Sequence, residues 1–141
     1  MAQTPTSLSD YPVRTHDKLR YADTDRQGHV NNAVFATMLE TGRVEVLYAA
    51  DGPLHEEGCS FVIASLHLDF HGEITWPGQV EIGTRVASTG RSSVTLDQAL
   101  FQDGRCAATG RTVIVQVNDG TRRSHPLGAA AVRRLASLQG G

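Results

Sequence analysis

Asn31-Asn32-Ala33-Val34-Phe35-Ala36-Thr37-Met38-Leu39-Glu40-Thr41-Gly42-Arg43-Val44-Glu45-Val46-Leu47 is the stretch on which the fold turns. Phe35, Met38, Leu39, Gly42, Val46 and Ala49 recur at helical spacing, and Ala36, Val44 and Leu47 widen the stripe. Asn31 and Asn32 are good N-cap types at its start, and Asp51-Gly52-Pro53 ends it. The spacing predicts one helix from about Val34 to Ala50, covered on more than one side. Gly42 costs roughly 1 kcal/mol inside a helix. A close approach of another backbone at that point would offset the cost.

C-terminal to Gly58 the period changes to two. Leu66, Leu68 and Phe70 fall on one face, and His67, Asp69 and His71 on the other. Trp76-Pro77-Gly78 reads as a turn. Val80, Ile82, Thr84 and Val86 then alternate with Glu81, Gly83, Arg85 and Ala87. Gly90 breaks that run. Val94, Leu96 and Leu100 belong to the next strand, and Asp103-Gly104 is a hairpin signal. Cys106 to Val117 is a final long strand, closed by Asn118-Asp119-Gly120. Ala129 to Leu138 is a short terminal helix. On the N-terminal side, Val13 to Tyr21 is a half-polar strand, followed by a turn from Ala22 to His29. Residues 1–11 read as a disordered tail and 12–141 as a single domain. Consecutive strands joined by tight turns imply an antiparallel sheet, and the apolar helix must cover one of its faces. The fold class is α+β, with one long helix wrapped by a five-stranded antiparallel sheet.

The composition agrees with one globular domain. A chain of 141 residues removes roughly 68% of its unfolded surface from water on folding. The net charge is −2, with 12 Arg and one Lys against 15 acids. No bulk basic field exists to coat nucleic acid or an anionic membrane. No apolar run approaches the roughly 20 residues of a membrane span. Met1 to Asp10 lacks the basic and apolar regions of a signal peptide. Cys59 and Cys106 make no CxxC and no disulfide framework, and read as small buried hydrophobes. A cytoplasmic protein is expected.

Tyr21-Ala22-Asp23-Thr24-Asp25-Arg26-Gln27-Gly28-His29-Val30-Asn31-Asn32 resembles the signature of hotdog-fold acyl-CoA thioesterases, nearest the 4-hydroxybenzoyl-CoA thioesterase group. The resemblance runs on through Glu40 to Arg43, Leu68-Asp69-Phe70 and Trp76-Pro77-Gly78-Gln79-Val80. It covers residues 13 to 118 and is more specific for the superfamily than for the substrate. It implies hydrolysis of an acyl-CoA thioester to a carboxylic acid and CoA, with no cofactor and no metal. An acyl-carrier-protein substrate, a hotdog dehydratase, whose catalytic His and helix-borne acid follow a different pattern, and a non-catalytic acyl-CoA-binding module are the alternatives.

Under that resemblance Asp25 is the catalytic carboxylate, as nucleophile or as general base on water, and sequence leaves both open. The backbone N–H near Asn32, at the positive end of the helix, is the oxyanion donor. Gly28 lets the loop approach the ligand without a Cβ. His29 either orients Asp25, protonates the leaving thiolate, or is a packed histidine. Asp23 points away from Asp25 on an extended backbone and takes a structural role. Glu40 is a second candidate acid, but its spacing to Arg43 suits an ion pair. His67, Asp69 and His71 share a strand face that could hold a metal, and read better as an exposed polar face. Arg91 and Ser92, after the Gly90 turn, are the expected contacts of the CoA phosphates, with Arg122 and Arg123 second. The apolar strand Phe61 to Phe70 suits pairing with a second copy, so a homodimer or homotetramer is expected.

Overall fold

The computed structural model describes residues 7–49 and 52–139. In chain order its principal elements are β1 (Val13–Lys18), α1 (Asn32–Leu47), β2 (Tyr48–Ala49), β3 (Gly52–Pro53), β4 (Cys59–Phe70), β5 (Gln79–Thr89), β6 (Ser93–Gln102), β7 (Arg105–Asn118) and α2 (Ala129–Ala136). Five strands form one antiparallel sheet in the order β1-β5-β6-β7-β4, and β2 pairs with β3. The sheet curls around α1, which lies against β1, β5 and β6. This is the expected class, with α2 as a second, shorter helix.

Two apolar clusters divide the interior along α1. Phe35, Met38 and Leu39 meet Leu19, Ile74, Val80, Ile82 and Leu100 at one end. Val46 and Leu47 meet Val86, Val94, Leu96, Ile114, Leu135 and Leu138 at the other, where α2 closes the sheet. Burying each large aliphatic side chain stabilises the fold by roughly 1.5–3 kcal/mol. Gly42 sits between the clusters. A Cβ there would lie 2.6 Å from Gln98 Nε2 and 2.7 Å from both Ile82 Cγ2 and Thr84 Oγ1. The close approach is therefore to side chains of β5 and β6, where a neighbouring backbone was expected.

Several boundaries differ from the sequence reading. α1 starts two residues before Val34 and ends at Leu47, because Asn31 caps it by accepting from Ala33 N at 2.9 Å and the chain then turns into β2. Ala50 and Asp51 lie outside the described residues. β1 ends at Lys18, short of Tyr21. The Arg20 backbone and guanidinium both bond Asp23, winding Tyr21–Asp23 into a 3₁₀ turn and leaving Tyr21 exposed. Residues 1–6 of the expected tail lie outside the described residues. From Ser7 the chain is docked: Leu8–Asp10 form a capped 3₁₀ turn and Tyr11 is buried edge-on against Phe101. Asp103 and Gly104 both adopt positive φ, the two-residue hairpin that their types signal.

The two edges of the sheet differ in kind. β1 is short and alternates exposed Arg14, His16 and Lys18 with half-buried residues. β4 is long and mostly exposed, with Val62, Ile63, Leu66 and Phe70 in water. A register shift between Ile63 and Ser65 interrupts its ladder with β7.

Candidate active site

The polar segment between β1 and α1 builds a tight turn around Asp25. Its Oδ1 accepts from Gln27 N at 2.8 Å and His29 N at 3.2 Å. Its backbone N–H donates to His29 O at 2.8 Å, and Gly28 N returns a bond to Asp25 O at 3.1 Å. Gly28 holds φ +81°, a conformation that L side chains rarely adopt. The glycine is needed for that turn; a Cβ would meet no protein atom within 4 Å. Asp25 Oδ2 has no partner among the described residues. One oxygen of the carboxylate thus fixes the loop and the other is left for chemistry.

Asp23 has the opposite fate. It is buried, its Oδ2 accepts from Arg20 N at 2.9 Å, and its Oδ1 accepts from Arg20 Nη2 at 2.8 Å. The Arg20 hydrogen bond holds its carboxyl below the usual carboxylate range, against the opposing pull of burial. Its carbonyl accepts from Asn31 N at 2.9 Å, which ties the turn to the start of α1.

Asn32 is the first residue of α1. Its N–H has no acceptor among the described residues, as expected in a helical first turn. Asn32, which carries this free donor at the positive end of the helix dipole, lines the same cleft as Asp25. The cleft has a volume of about 370 Å³. Asp25, His29, Asn32 and Glu73 form its polar lip, and Phe35 and Phe70 its apolar wall. The two rings pack edge to face with centroids 5.0 Å apart.

Glu73 and Phe70 were not singled out as site residues by sequence. Glu73 Oε2 lies 3.1 Å from His29 Nε2. His29 also bridges Thr75 as an isolated strand pair, and Val30 N donates to Ile74 O at 2.7 Å. The β4–β5 connection is therefore stitched to the Asp25 turn. The only sequence signal was position: Glu73 lies three residues beyond Phe70, where the strand ends.

Arg91 and Ser92 are not brought to this cleft. They lie in the β5–β6 turn, where Leu127 N donates to Arg91 O at 2.9 Å. Gln102, at the other end of β6, clamps Thr75 beside the site with bonds of 3.0 and 2.7 Å. The length of β6 separates the two ends, roughly 30 Å at about 3.3 Å per residue. Glu40 and Arg43 form no ion pair: Glu40 is exposed, while Arg43 is buried in α1 with Nη1 unpartnered among the described residues. His67 Nε2 lies 3.1 Å from both oxygens of Asp69, and His71 Nε2 bonds Thr109 Oγ1 at 2.8 Å. Among the described residues no group of three His, Cys, Asp or Glu could hold a metal ion.

A curled antiparallel sheet wrapped around one long helix is the hotdog fold of thioester hydrolases. A family model described as the thioesterase-like superfamily matches residues 19–135, and the chain belongs to that family. A Pseudomonas aeruginosa protein of known structure is 28% identical, covers 98% of this chain and 99% of its own, and superposes with a TM-score of 0.87. A Thermus thermophilus thioesterase, solved in complex with coenzyme A and zinc, is 34% identical over 94% of this chain and 98% of its own, with a TM-score of 0.80. DHNA-CoA thioesterase from Staphylococcus aureus, at 22% identity over 89% of this chain and 91% of its own, shares the fold with a TM-score of 0.76. No curated protein matches the chain. No helix among the described residues is long and apolar enough to cross a membrane.

Proposed function

We propose that the chain hydrolyses an acyl-CoA thioester to a free acid and CoA at the Asp25 cleft. The observation that carries this reading is the pairing of two unsatisfied groups at one cleft: Asp25 Oδ2 and the Asn32 N–H. Asp25 acts on the thioester carbonyl, as a general base on water or as the nucleophile. As the carbonyl carbon becomes tetrahedral, charge collects on its oxygen. The Asn32 N–H and the α1 dipole stabilise that charge, and because the helix is already in place little reorganisation is needed. The Phe35 and Phe70 rings give the acyl group an apolar wall. Coenzyme A as the leaving group is supported by the ligand of the Thermus thermophilus relative.

Arg91 and Ser92 reach the substrate's nucleotide only from a second copy of the chain. An antiparallel pair of β4 strands would place the Cys59 end of one copy beside the Phe70 end of the other. Arg91 of the partner subunit then stands about three strand spacings from the cleft, roughly 14 Å at about 4.8 Å per spacing. A homodimer thus reconciles Arg91 and Ser92 with a phosphate role that one protomer cannot provide. Two free, buried cysteines suit a reducing cytoplasm.

The test is thiol release from a panel of acyl-CoA esters by wild type and Asp25→Asn. Asparagine keeps the size and can accept the Gln27 and His29 amides, but is neither base nor useful nucleophile. The expected result is a kcat about 10²–10⁴-fold lower, with unchanged melting and KM. Wild-type-like turnover by Asp25→Asn, or a wild type that binds every ester and cleaves none, would overturn the assignment.

A further inference from the structure

The loop that carries Glu73 is held more firmly than its surface position requires. His71 N and Gly72 N both donate to Ala107 O, at 2.8 and 3.0 Å. Arg105 Nη2 donates to Glu73 O at 3.0 Å. Gln102, itself buried, grips both backbone groups of Thr75. Ile74 between them is fully buried. This scaffold delivers one carboxylate to one ring: Glu73 Oε2 to His29 Nε2 at 3.1 Å, on the lip of the Asp25 cleft. The His29 backbone is fixed as tightly, because its N–H serves Asp25 Oδ1 and its carbonyl accepts from Asp25 N.

We infer that Glu73 is a positioning residue that sets the orientation and tautomer of His29, making His29 the proton carrier to the leaving thiolate. The inference rests on the thioesterase reading of the same cleft. With Nε2 held 3.1 Å from Glu73 Oε2, Nδ1 is the ring nitrogen left for the substrate. When the tetrahedral intermediate collapses, the C–S bond breaks and its electron pair goes to sulfur. The imidazolium gives its Nδ1 proton to that sulfur, leaving a neutral ring that keeps its other proton on Nε2, beside Glu73. Solvent then reprotonates Nδ1. Glu73 takes no proton in this step and holds the ring in place, the task of a carboxylate behind a catalytic histidine. The stapled loop keeps the pair in register without an ordering cost at each turnover.

The experiment is a double-mutant cycle with a tautomer measurement. His29→Gln is expected to lower kcat by roughly 10²-fold with KM and melting temperature near wild type. Glu73→Ala is expected to lower kcat by about 10-fold or more, as loss of an orienting partner does, again at nearly constant KM. In the His29→Gln background, Glu73→Ala should cause no further loss, and Glu73→Asp should recover part of the activity only when His29 is present. Nitrogen-15 spectra at about pH 8.5, where imidazole is neutral, should show His29 as the Nε2–H tautomer in wild type and a mixture in Glu73→Ala. A wild-type kcat in Glu73→Ala, an equal loss with and without His29, or an unchanged tautomer would overturn the inference. If wild type cleaves no thioester, the function reading fails, and the spectra alone decide whether Glu73 sets the ring.

Discussion

Asp23 and Asp25 show how two identical side chains, two residues apart, come to different work. Asp25 stands exposed with one oxygen tied to local amides and the other free. Asp23 is buried and spent on Arg20 and the turn. Its folded-state carboxyl titrates below the ordinary value, chiefly through the Arg20 hydrogen bond. The stability it contributes is therefore present above the unfolded value of about 3.9 and is lost as pH falls through the lower folded value. Asp23→Asn is expected to cost about 1–3 kcal/mol near neutral pH, the range for a buried group that loses its charged partner. Urea melts should show that difference at pH 7 and a smaller one toward pH 3. A difference that grows on acidification would contradict this role.

At the scale of the elements, α1 depends on what lies at Gly42 more than on its own propensity. Replacing glycine with alanine in an open helix gains roughly 1 kcal/mol. Here the added Cβ meets Gln98, Ile82 and Thr84 well inside van der Waals distance. Gln98 can yield little, since its Nε2 already bonds Leu39 O at 2.9 Å and Thr84 Oγ1 at 3.0 Å. Gly42→Ala is thus expected to lower stability by a net ~1–3 kcal/mol, the usual cost of overpacking. Thermal melts would check it; a stabilised variant would mean that α1 stands farther from β5 and β6 than described.

For the whole molecule, β4 is the element that one chain leaves unfinished. Its outer edge offers unpaired backbone groups beside Val62, Ile63, Leu66 and Phe70, a surface that associates unless it is covered. The proposed two-fold dimer would cover it and bring Arg91 of the partner subunit toward the cleft. Leu66→Lys is expected to shift the protein from dimer or tetramer to monomer by light scattering at micromolar concentration. The same change should cut kcat/KM for acyl-CoA, because the nucleotide loses the partner's arginine. Arg91→Ala should leave assembly and kcat near wild type and raise KM, since a phosphate contact is made equally in ground and transition states. A wild-type monomer, or an Arg91→Ala variant with unchanged KM, would remove the interface or the arginine from the site.

The sequence by itself determined the elements and the class: a capped apolar helix, the change to period two after Gly58, the hairpin at Asp103-Gly104 and the motif from Tyr21 to Asn32. These are local signals, because a helix or strand writes its buried face into residues a few positions apart. It also placed Asp25 and the Asn32 amide together, since both belong to one turn and the helix after it. Tertiary structure alone decided that Glu73 meets His29 from 44 positions away, that Gln98 and Thr84 crowd Gly42, and that Arg91 stands at the far end of the sheet. Periodicity reports that a face is covered and is silent on what covers it. Those partners are chosen when β4 through β7 fold back over α1 and fix which distant residues share an end of the sheet.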